Sequence, residues 1–240
     1  MKRLTAAEIK HILYGILLSD GHIDSNNDRF ELYTKHREYA DYVADVLSQI
    51  TGMEIHNKPK HDKRGYTGYR VWTRNHPYWF KMRDRVYRTR KQLTAYNVSR
   101  LTCESIAHIW MCDGYLEHAK NRKTNSVQNI GWLCLEAFPP NELALLQNHL
   151  VANFNIHCSM IPKPRWGYGV RLRVGGENLQ RLISLVYPFV LSCFEKKTVL
   201  FYKNKESADM SLPSAEHFIK EYNEVDDIVR YSKELEKRNG

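Results

Sequence analysis

The 240-residue chain repeats itself, and the repetition limits its fold more than any other feature. Residues 4–21 read LTAAEIKHILYGILLSDG and residues 101–114 read LTCESIAHIWMCDG. Each copy opens on Leu-Thr, runs through an apolar segment containing a histidine, and stops at Asp-Gly. Thr5 followed by Glu8 has the form of a capping box, a helix-opening signal. Ile9, Ile12, Leu13, Ile16 and Leu17 then recur at helical spacing and form one apolar face. Gly21 and Gly114 are expected to supply the backbone freedom that lets each helix end.

The segments after each Asp-Gly also match. In the first copy an extended stretch at Phe30–Tyr33 precedes residues 38–55, which read as a helix leading into a strand. A polar hairpin over 58–74 turns at Gly65 and Gly68, and a helix over 78–88 closes the unit. In the second copy the order recurs as an extended 129–138, a helix over 140–154, a strand over 155–163, a turn at 165–169, a strand over 170–176 and a helix over 177–190. Val86-Tyr87 and Val186-Tyr187 occupy corresponding places. Residues 117–128, basic and polar, lengthen the second copy as a hairpin tip. The expected fold is α+β, two αββαββα repeats spanning 1–98 and 99–205, with 206–240 as a charged, partly helical tail. Residues 91–100 lack Gly/Ser/Pro linker character, so the halves should pack together.

Lys and Arg number 36 against 27 Asp and Glu, a formal charge of +9. An excess of that size favours a polyanionic partner, nucleic acid being the commonest, although a basic soluble protein has the same balance. No apolar run reaches the ~18 residues of a membrane span. The N-terminal segment has no uncharged stretch of signal-peptide type, so an intracellular location is expected, with organelle, phage-infected or bacterial cell not distinguished. The five cysteines lie in the second half and never form C-x-x-C, which suits free thiols rather than a disulfide framework or zinc finger.

Residues 13–21 (LYGILLSDG) and 106–114 (IAHIWMCDG) resemble the nine-residue motif that names the LAGLIDADG homing endonucleases, in particular the single-chain, two-repeat type. The resemblance extends through the other elements to about residue 203. It implies that the two motif helices pack side by side as a seam between pseudo-symmetric halves. Gly15 and Ser19, four residues apart, suit close approach, whereas His108 and Cys112 hold those places in the second copy. They are expected to fill the space above Gly15. Packing the seam brings Asp20 near Asp113. Two carboxylates beside a phosphodiester make a site for Mg²⁺ (or Mn²⁺), which keeps several waters and needs few protein ligands. The family often places a basic residue after the last helix of each copy, which points to Lys91 and Lys197 as catalytic, with Arg90 and Lys196 as competitors for the role.

The same resemblance implies two curved antiparallel sheets lying along the major groove of double-stranded DNA. Candidate contacts are Lys58, Lys60, Arg70, Trp72 and Arg74 in the first copy, and Lys163, Arg165, Arg171 and Arg173 in the second. The sets Arg70/Trp72/Arg74 and Arg171/Arg173 keep a period of two, as one face of a strand requires. Lys120, Arg122 and Lys123 in the long hairpin tip are candidates for phosphate contact. His11, His108, Trp110, Trp132, Phe154 and Phe189 read as packing residues. The leading function is a monomeric, site-specific double-strand DNA endonuclease with a long asymmetric target, promoting intron mobility. A splicing maturase that binds its own intron RNA, and a catalytically silent DNA-binding regulator, are the alternatives. Retention of both aspartates favours cleavage.

Overall fold

The computed structural model describes residues 3–24, 28–61, 65–87, 90–120, 127–163 and 168–200. Its first half runs α1 (Ala6–Leu18), β1 (His22–Asp24), β2 (Arg29–Thr34), α2 (Arg37–Ser48), β3 (Ile55–His61), β4 (Thr67–Thr73), α3 (Pro77–Val86) and the short α4 (Ala95–Val98). The second half repeats it as α5 (Cys103–Asp113), β5 (Gly114–Lys120), β6 (Val127–Leu133), α6 (Pro140–Phe154), β7 (Ser159–Pro162), β8 (Val170–Gly175) and α7 (Gly176–Val186). Two 3₁₀ turns follow, Tyr187–Phe189 and Ser192–Lys197. The α+β, twice-repeated αββαββα architecture is thus observed. The proposed tail, 206–240, lies outside the described residues.

Each half builds one four-stranded antiparallel sheet, ordered β1-β2-β4-β3 and β5-β6-β8-β7. Phe30 and Leu32 on β2, Val71 on β4, and Leu172 and Val174 on β8 are buried beneath the helices. Their neighbours Glu31, Tyr33, Arg70, Trp72, Arg171 and Arg173 therefore point to the opposite, open face of each sheet. The cross-strand register aligns Tyr33, Arg70 and Lys58 in one row and Glu31, Trp72 and His56 in the next.

The α1 capping box forms as expected: Glu8 N donates to Thr5 Oγ1 at 3.2 Å and Thr5 N donates to Glu8 Oε2 at 2.7 Å. Such a cap contributes about 1 kcal/mol. α5 has its own, in which Thr102 and Ser105 exchange the equivalent bonds. α1 and α5 form the seam. A Cβ on Gly15 would meet the Ser105 carbonyl oxygen and lie 2.8 Å from the Ser105 Cα, so the two backbones touch with no side chain between them. Ser105 Oγ then donates to His11 O at 2.7 Å, and His11 Nδ1 lies 2.5 Å from Arg100 O.

Three expectations are corrected here. The space over Gly15 is occupied by backbone, not by His108 or Cys112. His108 instead turns towards α2, with Nδ1 3.2 Å from Tyr39 Oη and its ring 5.3 Å from that of Tyr42. Burial pulls its pKa down to about 3, so it packs as a neutral ring. Second, the motif glycines do not end their helices through left-handed backbone: Gly114 is extended, with φ −76° and ψ 143°. A Cβ there would strike the Trp110 carbonyl oxygen and sit 2.6 Å from its indole ring, and one on Gly21 would lie 2.7 Å from Ile16 O. Close approach, not positive φ, selects glycine at both. Third, several expected element ends shift. β7 begins only at Ser159, with Asn155 in a left-handed conformation (φ 51°) after α6; β6 stops at Leu133; and the first strand of the αββαββα order, which the sequence pattern does not delimit, is the three-residue β1.

Among the described residues no helix is long and apolar enough to cross a membrane. The described cysteines are all free thiols.

Because the Gly15 contact is backbone against backbone, it has no flexible side chain to give way. Gly15→Ala is expected to lower stability by about 2–3 kcal/mol, or roughly 4–10 °C in Tm, with Gly15→Val worse, as read by calorimetry.

Candidate active site and nucleic-acid interface

The seam delivers both motif C-termini to one edge. α1 closes when Gly21 N bonds back to Ile16 O at 2.7 Å, leaving Asp20 exposed on the turn. α5 ends at Asp113 itself, half-buried, and Cys134 N donates to its carbonyl at 2.9 Å, tying the helix end to the residue that follows β6. The two carboxylates are within electrostatic reach. Burial first, and then the charge of Asp20, push the Asp113 carboxyl up to about 7, against the partial relief of Lys91 and Lys197.

Each helix end carries one lysine. Lys91 Nζ donates to Ser19 O at 2.5 Å and to Gly21 O at 3.0 Å. Lys197 Nζ donates to Met111 O at 2.6 Å and to Cys112 O at 3.3 Å. Cations there answer the negative end of the helix dipole. Burial lowers the pKa of both, while the two aspartates pull the other way. An ammonium has three N–H donors, so after two carbonyls each lysine keeps one for the space beside the aspartates. Local structure fixes their reach. Lys91 pairs with Tyr87 in a β-bridge, and Trp110 Nε1 donates to Lys197 O at 3.2 Å. The rival basic residues point elsewhere: Arg90 pairs with Glu142 at 2.5 Å, and Lys196 is exposed. The structure therefore brings Asp20, Asp113, Lys91 and Lys197 to one place.

These residues suit a divalent cation. Two carboxylates share one edge and raise the proton affinity of one of them, a repulsion that a cation would relieve. Among the described residues no group of three or more His, Cys, Asp or Glu side chains is gathered. The donor set is thus sparse and all oxygen, the kind a hydrated hard ion accepts.

The open faces of the sheets lie beside this edge. On the first, Arg70 stacks over Trp72 at 4.9 Å and over Tyr33 at 5.4 Å, Lys60 Nζ lies 4.3 Å above Tyr33, and Trp72 stacks on His56 at 4.9 Å. Arg70 also pairs with Glu31 at 2.9 Å, and Arg74 with Glu54 at 3.1 Å. Lys58 and Lys60 are exposed. On the second, Lys163 Nζ lies 4.9 Å over the Trp132 ring, whose Nε1 donates to Glu117 at 2.7 Å. Arg173 is opposite Trp132 in the ladder, and Arg171 is tied to Glu136. Trp132 is buried, but outside the central cluster. A Cβ on the adjacent Gly131 would meet Leu179 and Trp110 under the sheet, which turns Trp132 outward. Phe154 and Phe189 are only half-buried against the core. Arg122, Lys123 and Arg165 lie outside the described residues, as does the side chain of Lys120.

Sequence reasoning missed the carboxylates that hold these cations, Glu31 and Glu136, and the aromatic partners Tyr33 and His56. Tyr33 and Glu31 alternate with Phe30 and Leu32 along β2, a signal that was available. Glu136 lies beyond β6, and only the fold brings it to Arg171.

Among solved structures, the fold is similar to that of the homing endonuclease I-WcaI bound to its DNA recognition sequence, with a TM-score of 0.68 at 19% identity, covering 83% of this chain and 89% of that one. It is also similar to the N-terminal LAGLIDADG domain of DUF199/WhiA, with a TM-score of 0.50 at 10% identity, covering 78% and 84%. At such identities the likeness speaks for the fold. The sequence profile of the LAGLIDADG DNA endonuclease family matches residues 10–182, a span that takes in both motif ends and both sheets. The chain belongs to the LAGLIDADG DNA endonuclease family.

Proposed function

We propose that the chain is a monomeric, divalent-metal-dependent endonuclease that cuts both strands of a long asymmetric DNA site and so promotes intron mobility. The observation that carries this reading is the paired arrangement of Asp20 with Lys91 and Asp113 with Lys197 at the ends of two packed helices. Asp20 and Asp113 would hold Mg²⁺ or Mn²⁺, which when bound would activate water and offset the charge gathering on the scissile phosphate. The chain's own part is placement. The aspartates fix negative charge at the edge where the two halves meet, and the half-buried setting of Asp113 keeps bulk water from screening it. The remaining N–H of each lysine would donate to a phosphate oxygen or orient water, and desolvation would strengthen that bond. The open sheet faces, one from each unequal half, would read two different half-sites, which is why the target should be asymmetric.

Asp20→Asn or Asp113→Asn is expected to abolish double-strand cleavage of a duplex selected by the parent protein from a randomised library with Mg²⁺, leaving affinity within about tenfold, since binding is spread over phosphates and base edges. Normal cleavage by the double variant would refute the site.

The raised Asp113 carboxyl makes a separate stability prediction. Between its unfolded value near 4 and its folded value near 7, the native state keeps a proton that the unfolded state has lost, so the stability present below pH 4 drains away as pH rises to 7. Asp113→Asn, which cannot ionise, should be more stable than the metal-free parent at pH 8 by about 1–3 kcal/mol and match it near pH 4. Millimolar Mg²⁺ should narrow the pH 8 gap by raising the melting point of the parent alone.

For the sheets, affinity should fall with salt at a log–log slope of about −0.9 per phosphate neutralised. Arg70→Ala and Arg171→Ala should change base preference at one position each, whereas Lys58→Ala and Lys60→Ala should weaken all sequences alike. Uniform small effects from all four would place DNA on another surface.

A further inference from the structure

Two glutamates outside the site just described are arranged as each other's counterparts across the seam. Glu38 is the second residue of α2, in the first half. It accepts hydrogen bonds from Ser192 N at 3.2 Å, Ser192 Oγ at 2.6 Å and Cys193 N at 3.0 Å, all in the second half. Those residues begin the 3₁₀ turn Ser192–Lys197, whose last residue is Lys197. Glu142 lies in the first turn of α6, in the second half. It accepts from Arg90 Nη2 at 2.5 Å, Arg90 Nη1 at 3.3 Å and Leu93 N at 2.9 Å, all in the segment that follows the first half's last long helix. Lys91 lies between them, and Arg90 Nη1 also donates to Lys91 O at 2.7 Å. Each glutamate sits in the first turn of its helix, where the dipole favours a carboxylate.

The chain connectivity makes the contacts crossed. Lys91 rests on the end of α1 and is gripped through α6, while Lys197 rests on the end of α5 and is gripped through α2. We infer that Glu38 and Glu142 are reciprocal positioning residues, each half holding in place the site lysine of the other. Neither touches the site; each acts on the backbone that carries a lysine. Alignment of the two lysines thereby depends on the halves being docked, so a half that is not docked against its partner does not offer a complete set of groups for strand cleavage. The two clamps differ in strength. Glu142 is buried and carries a charge-assisted pair with Arg90, whereas Glu38 is exposed and its three bonds compete with water.

This inference rests on the endonuclease reading for its consequence but not for its geometry, and two readouts on the full-length protein separate the two. The first is the rate at which acetic anhydride modifies each lysine, followed by mass spectrometry. Glu38→Ala should raise the reactivity of Lys197 several-fold and leave Lys91 within about twofold; Glu142→Gln should do the reverse. Ser192→Ala and Arg90→Met weaken the same clamps from the other side by removing their side-chain donors, and they carry the test, with smaller changes in the same direction, if a glutamate variant fails to fold by circular dichroism. The second readout is strand-resolved cleavage of the library-selected duplex, labelled on each strand. Loss of one clamp should slow cutting of one strand by about 10–100-fold, the loss found when groups supporting catalytic ligands are removed, and yield nicked product. The strand affected should be the same for Glu38→Ala as for Lys197→Met, and the other one for Glu142→Gln and Lys91→Met. Equal reactivity changes at both lysines, or none, in folded variants would overturn the clamp. A parent that cuts no DNA while the lysine selectivity holds would overturn the endonuclease reading and leave the clamp standing.

Discussion

The close contact of α1 and α5 is the constraint on which the remaining geometry depends. Helices normally keep 8–10 Å between axes because side chains fill the gap. Here Gly15 faces the Ser105 backbone directly, and that approach decides where both helix ends fall. Asp20 and Asp113 follow their helices, and the lysines follow the carbonyls that those ends leave without intrahelical partners. A wider seam would separate the carboxylates and remove the mutual repulsion that makes the edge receptive to a cation. The site is therefore a by-product of main-chain packing more than of any cage of side chains.

The seam is not symmetric in its details, although the topology is. Gly15 on α1 and Ser19 at its C-cap are answered on α5 by His108 and Cys112, and both of these turn to Tyr39 of α2, with Tyr39 Oη 3.2 Å from His108 Nδ1 and 3.3 Å from Cys112 Sγ. The first half provides the close approach and the second provides the bulk that packs against the flanking helix. Unequal halves of this kind can specialise independently, and the two sheet faces show it. One is an aromatic–cation ladder built on Tyr33, Arg70, Trp72 and His56, whereas the other centres on Trp132 between Glu117 and Lys163.

How much of this could be read from the residues depended on distance along the chain. The repeat, the capping box at Thr5 and Glu8, and the alternation of Arg70 and Trp72 with Val71 are local patterns, and each maps onto the described elements. The pairing of Asp20 with Asp113 and the choice of Lys91 and Lys197 came from resemblance, because nothing within either segment says that the two helix ends meet. The glycines after the aspartates were assigned the wrong cause: their position in a turn was visible, but whether a Cβ would meet Trp110 or Ile16 is a matter of how tightly the chain folds back. Trp132 is buried, as read, but on the outer face of the sheet, since Gly131 beside it already occupies the inward position. Glu31, Glu38, Glu136 and Glu142 left no trace as partners: Glu31 and Glu136 meet their arginines only once their own half folds, and Glu38 and Glu142 meet their partners only when the other half arrives.

The contact between Glu38 and Ser192 spans 154 positions of the sequence, and the one between Ser105 and His11 spans 94. Contacts so far apart must wait for chain that a ribosome has not yet made. While the first repeat is emerging, the apolar face of α1 has no α5 to cover it, and the first turn of α2 has nothing to hold. The nascent half must therefore keep a sticky helix in hand until some ninety more residues have appeared. Long-range closure of this kind slows folding and exposes the intermediate to association, so the duplication that joins both halves in one chain leaves its birth dependent on the order of synthesis.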